Sequence, residues 1–88
     1  MKNGVIIKWI EKNRMNYEVK TNTSKEFDVK FSDGKFVYEI ANGSGNGSAY
    51  RFYILTKNTN MQIGKSTRIL YDLIDELEEF FNQRITTE

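Results

Sequence analysis

The sequence predicts an α+β domain: an N-terminal helix, an antiparallel meander of about four strands, and a C-terminal amphipathic helix packed on one sheet face. Three patterns lead there. Apolar residues recur at three- and four-residue spacing near both ends, and they alternate with polar residues through the middle. Between two of the alternating runs, Asp33-Gly34 marks a tight reversal. A meander flanked by helices has one sheet face to cover, which makes a two-layer domain. Residues 1–88 read as a single domain, because a chain of this size buries roughly 60–65% of its unfolded surface, enough for one core.

Residues 3–13 admit two readings. Asn3 can cap a helix whose inner side is Ile6, Trp9 and Ile10 with Val5 beside them, or Val5, Ile7 and Trp9 can alternate in a strand. The helix is favoured, since a strand would set Ile6 and Ile10 on the opposite face. Tyr17, Val19 and Thr21 alternate, as do Phe27, Val29 and Phe31. A two-residue turn at Asp33-Gly34 pairs Ser32 with Lys35, Phe31 with Phe36, Val29 with Tyr38 and Phe27 with Ile40. Tyr50, Phe52 and Ile54 add a third row to the same face. A glycine- and serine-rich stretch, 41–49, joins two strands; Lys57 to Asn60 is a polar turn, and Met61-Gln62-Ile63 reads as a short edge strand. From Thr67 to Gln83, Leu70, Leu73, Ile74, Leu77, Phe80 and Phe81 form the apolar stripe of the long helix.

Composition narrows the chemistry. Aromatics at 14% and hydrophobics at 39% support a folded chain rather than a disordered one. Histidine and cysteine are both absent, which removes the commonest general base, the commonest metal ligand and the most reactive nucleophile. Neither a disulfide nor a thiolate metal site is available. An enzyme is not expected, and neither is a cofactor or a bound metal. Val5 to Ile7 is too short for a signal-peptide core, and no run reaches membrane-spanning length. The chain is expected in the cytoplasm, that of the host cell if a phage encodes it, with no membrane partner.

Two glycine patterns invite a phosphate-binding reading. Gly64-Lys65-Ser66-Thr67, between a strand and a helix, imitates the end of a nucleotide-binding loop, yet Thr59 stands where that pattern needs its first glycine. A turn at Gly64 and a cap at Ser66 or Thr67 account for the same residues. Gly43, Gly45 and Gly47 lie between two strands, with no helix N-terminus waiting for an anion.

Two surfaces remain. With the rows above turned inward, Lys30, Val37, Arg51, Tyr53 and Leu55 face outward, and Lys30, Arg51 and Tyr53 form a candidate platform for single-stranded nucleic acid. A solvated face, or one covered by the N-terminal helix, is the leading account of these residues. The second surface is acidic. Residues 1–68 hold twelve basic and six acidic side chains, whereas residues 69–88 hold one and six. Asp72, Asp75, Glu76 and Glu79 fall opposite the apolar stripe with Glu78 at their edge, and no cation follows until Arg84. Like charges three and four residues apart repel by roughly 0.2–0.5 kcal/mol per pair. Such a cost without a stabilising return points to a basic partner.

The early helix Ile6-Ile7-Lys8-Trp9-Ile10-Glu11-Lys12-Asn13, the following strand Asn16-Tyr17-Glu18-Val19-Lys20, the Asp33-Gly34 hairpin, the strand Val37-Tyr38-Glu39-Ile40 and the late run Glu78-Glu79-Phe80-Phe81-Asn82 carry a likeness. In these features and in size, the chain resembles the small phage-borne anti-CRISPR proteins that inhibit type II-A Cas nucleases. The resemblance implies inhibition by a negative surface that occupies a nucleic-acid-binding channel. Strongly acidic members of that group use a broad face, whereas here only Asp72 to Glu79 is available for the part. The sequence thus leads to a non-enzymatic protein-binding module, an inhibitor from a phage or mobile element. Its partner would be a basic protein such as a Cas nuclease. The alternative is a single-stranded nucleic-acid-binding domain.

Overall fold

A computed structural model describes residues 2–23, 26–42 and 49–87, and the side chains of 4–23, 26–42 and 49–82. The glycine-rich stretch at 43–48 and the side chain of Arg84 lie outside the described residues. Element order is α1 (Lys2–Lys12), β1 (Asn16–Asn22), β2 (Phe27–Ser32), β3 (Val37–Asn42), β4 (Tyr50–Leu55), β5 (Asn60–Thr67) and α2 (Leu70–Thr87). The strands form one antiparallel sheet in the order β1-β2-β3-β4-β5.

The helical reading of the first segment holds, but α1 begins at Lys2, so Asn3 lies within the helix rather than capping it. Ile6, Trp9 and Ile10 share one helix face and are buried. The helix stops where Arg14 takes a positive φ of 57°, and the Met15 N–H closes back on the Ile10 carbonyl at 3.2 Å. That bond satisfies a carbonyl the helix end would otherwise leave bare.

Strand alternation sets one core. Phe27, Val29, Phe31, Tyr38, Ile40, Tyr50 and Phe52 point to one side, where Leu73 and Leu77 of α2 and the three buried residues of α1 join them. Both helices therefore lie on the same sheet face, and Trp9 meets Phe81 at 5.6 Å between ring centroids. The α1 cover considered for the outer face is thus ruled out.

Two local expectations are corrected. The β2–β3 register is shifted by two residues from the two-residue turn: Phe31 pairs with Tyr38, Val29 with Ile40 and Ser32 with Val37. A type I′ turn needs positive φ at both central residues, and here only Gly34 has it, at 94°. Asp33 instead accepts from the backbone N–H groups of Lys35 and Phe36 through Oδ1, at 2.9 and 3.0 Å, widening the connection to four residues. Its Oδ2 accepts from the buried Tyr38 hydroxyl at 3.1 Å. A shift of two keeps every side chain on its expected face, so the core is unchanged; Phe36 alone leaves it and is exposed.

The second correction concerns residues 60–69. The last strand is longer than Met61-Gln62-Ile63 and contains Gly64-Lys65-Ser66-Thr67, with Thr67 opposite Tyr50. Gly64, at φ 72°, lies in the irregular stretch where Gly64, Lys65 and Ser66 oppose Arg51 alone. Helix α2 begins at Leu70 rather than Thr67, and the Thr67 hydroxyl accepts from the Ile69 N–H at 3.2 Å in the turn before it.

Candidate functional site

Helix α2 is anchored by Leu73 and Leu77, both buried, with Leu70, Ile74, Phe80 and Phe81 half-buried around them. This fixes which side faces away. Asp72, Asp75, Glu78 and Glu79 are exposed there, together with Tyr71, whose side chain is 70% exposed. Tyr71 and Asp75 are four residues apart and so adjacent on the helix surface. Sequence reasoning passed over Tyr71; its position four residues before an acid was the available signal.

Glu76 does not belong with the other acids. It is half-buried on the flank of α2 facing β5, and its Oε2 is shut off from solvent without a hydrogen-bond donor among the described residues. The reason is rotational. The buried stripe centres on Leu73 and Leu77, which carries the residue just before Leu77 to the edge of the contact with the sheet, not opposite it.

Neither α1 nor α2 lies over the outer sheet face. Pairing sets out three cross-strand rows there: Glu18, Lys30, Glu39, Tyr53 and Gln62; then Thr21, Asp28, Ala41 and Arg51; then Ser32, Val37, Leu55 and Asn60. Lys30, Arg51 and Tyr53 therefore do share a face, with Lys30 and Tyr53 about 10 Å apart across one intervening strand. The intervening residue is acidic. Sequence reasoning counted the cations and apolar side chains of this face and missed Asp28 and Glu39, which the same alternation turns outward.

Asp28 and Glu39 interact directly. A side-chain hydrogen bond to Asp28, partial burial and the negative charge of Asp28 raise the Glu39 carboxyl from an ordinary 4.5 to about 7, against the lowering influence of Lys30 and Lys20. Near neutral pH, Glu39 is thus partly protonated, sharing a hydrogen bond with Asp28. Asp28 Oδ1 is buried with no hydrogen-bond partner among the described residues. Two carboxyls at the centre of the face oppose a phosphate backbone there.

Gly64-Lys65-Ser66-Thr67 lies inside an edge strand, so its backbone N–H groups cannot form the cradle of a phosphate loop. No cluster of three metal-ligating side chains occurs among the described residues. No helix among the described residues is long and apolar enough to cross a membrane. No protein-family model, curated protein or solved structure matches the chain.

Proposed function

We propose that this chain is a non-enzymatic protein-binding module, an inhibitor of phage or mobile-element origin, that sets the outer face of α2 against a basic partner such as a Cas nuclease. The observation that carries the reading is the exposed face itself, where Tyr71 stands among Asp72, Asp75, Glu78 and Glu79. Tyrosine is enriched at protein interfaces because one rigid ring supplies contact area and a polar tip. The surrounding carboxylates speed encounter with a positive surface and reject a negative one. The likeness to small anti-CRISPR proteins gives the class of partner.

Reversing Asp72, Asp75 and Glu79 to Lys tests this while leaving the apolar stripe and Glu76 untouched. Binding or inhibition is measured against purified basic nucleic-acid enzymes, a type II-A Cas nuclease first. The expected result is association slowed by about tenfold or more at low salt, with the difference shrinking as salt rises. Tyr71→Ala should act on dissociation instead, since its contact forms after docking. A folded reversal variant that binds a captured target as fast as the parent rules out the acidic face.

A further inference from the structure

Glu76 turns away from the acidic face into the groove between α2 and β5. There Ile63 and Gly64 from the strand, and Glu76, Glu79 and Phe80 from the helix, line a cleft of about 230 Å³. That is several times the share of about 30 Å³ occupied by one water in the liquid. Glycine shapes the cleft. A Cβ at position 64 would lie 2.7 Å from Glu76 Oε2 and 3.1 Å from Oε1, so only a residue without a side chain lets this carboxylate lie against the strand. The positive φ of 72° at the same residue favours glycine independently.

The wall chemistry points to a cation on an apolar stem. Glu76 Oε2 is buried and receives no hydrogen-bond donor from the described residues, an arrangement that favours a donor brought from outside. Near a protein surface a carboxylate attracts a cation about fourfold more strongly than in bulk water at the same distance. Ile63 and Phe80 offer apolar walls to methylene groups, and an aromatic ring is itself a favourable neighbour for a guanidinium or ammonium. Glu79 lines the cleft and also belongs to the exposed acidic face, so a molecule docked on α2 reaches both. We infer that the cleft is the anchor point for one arginine or lysine side chain of the basic partner. The aliphatic stem lies between Ile63 and Phe80, and the charged head meets Glu76 and Glu79. The inference rests on the reading of α2 as the partner surface and adds the single residue type that the partner must insert.

The test is an amide chemical-shift titration of the ¹⁵N-labelled full chain with N-acetyl-arginine amide, and with N-acetyl-citrulline amide as the neutral isostere. Shifts should gather at Ile63, Gly64, Glu76 and Phe80 with the arginine compound and be absent with the citrulline one. Glu76→Gln, which keeps the side-chain shape, should weaken the apparent affinity by about tenfold, the scale of one charge-assisted contact. Glu18→Gln, on the open sheet face away from α2, should leave it unchanged. Equal shifts with both compounds, or an unchanged affinity in Glu76→Gln, overturn the inference. If a captured basic partner shifts Tyr71, Asp75 and Glu78 but spares the cleft, the cleft assignment falls and the outer-face reading stands. If the cleft binds the arginine compound while a chain reversed to Lys at Asp72 and Asp75 only, with Glu79 kept, still captures its target at the parent rate, the outer-face reading falls and the cleft stands.

Discussion

Leu77 and Glu39 show how differently single side chains bear on this molecule. Leu77 has no exposed surface and lies in the core between helix and sheet. Leu77→Ala removes three buried carbons and leaves a cavity, for a loss of about 2–5 kcal/mol in chemical denaturation. Glu39 acts through its proton. Its folded value of about 7 lies above the ordinary 4.5, so the folded state binds the proton more tightly than the unfolded chain does. The stabilisation is complete below about pH 4.5 and is lost as pH rises through 7. Because Glu39 is only partly buried and lies near Lys20 and Lys30, screening holds the effect to about 1 kcal/mol or less. Glu39→Gln should flatten this part of the stability–pH profile and leave the protein more stable than the parent at pH 8. An identical profile in the variant would show that the proton is not shared.

At the scale of elements, the strand connecting the sheet to α2 invites the sharpest test. Gly64→Ala puts an L-residue at a positive φ, disfavoured by roughly 1–2 kcal/mol, and its Cβ would push aside the Glu76 carboxylate, the mobile end of a long side chain that lies 2.7 Å from that position. Thermal unfolding should show a drop for Gly64→Ala set by the backbone conformation, and Glu76→Ala in the same chain, which keeps a good helix former in α2, should recover little of it. Legibility in the sequence divides along the same line. Elements with strong periodicity were readable: α1 from Ile6, Trp9 and Ile10, the central strands from alternation, and α2 from its stripe. Connections were not, because they depend on side chains bonding to nearby backbone. Asp33 converts an apparent two-residue turn into a four-residue one, and Gly64 continues a strand through an irregular stretch where a turn was expected. The site divides likewise. Asp72, Asp75 and Glu79 follow from helical period alone, whereas the inward turn of Glu76 and the Asp28–Glu39 contact require knowing what lies across the groove or the sheet.

On the scale of the whole molecule, packing both helices on one face leaves two different surfaces for other molecules, and their electrostatics separate the functions open to them. The outer face of α2 carries acids without an interspersed cation from Asp72 to Glu79. The open sheet face alternates: Lys30 lies between Glu18 and Glu39, and Arg51 shares its row with Asp28. A single strand lying over Tyr53 would gain stacking, worth about 1–3 kcal/mol per base, but its phosphates would meet carboxyls as often as cations. Fluorescence anisotropy with a labelled deoxythymidine oligonucleotide should therefore show no appreciable binding at about 0.15 M salt, the physiological range. At lower salt, any residual binding should be shallow in its salt dependence, because few phosphates are neutralised. Acidification offers an internal control: below about pH 7 Glu39 is increasingly protonated, which removes negative charge from the face and should strengthen whatever binding exists. Tight, steeply salt-dependent binding that Arg51→Ala or Tyr53→Ala abolishes would move the function to the sheet and reduce the acidic helix to a solvated surface.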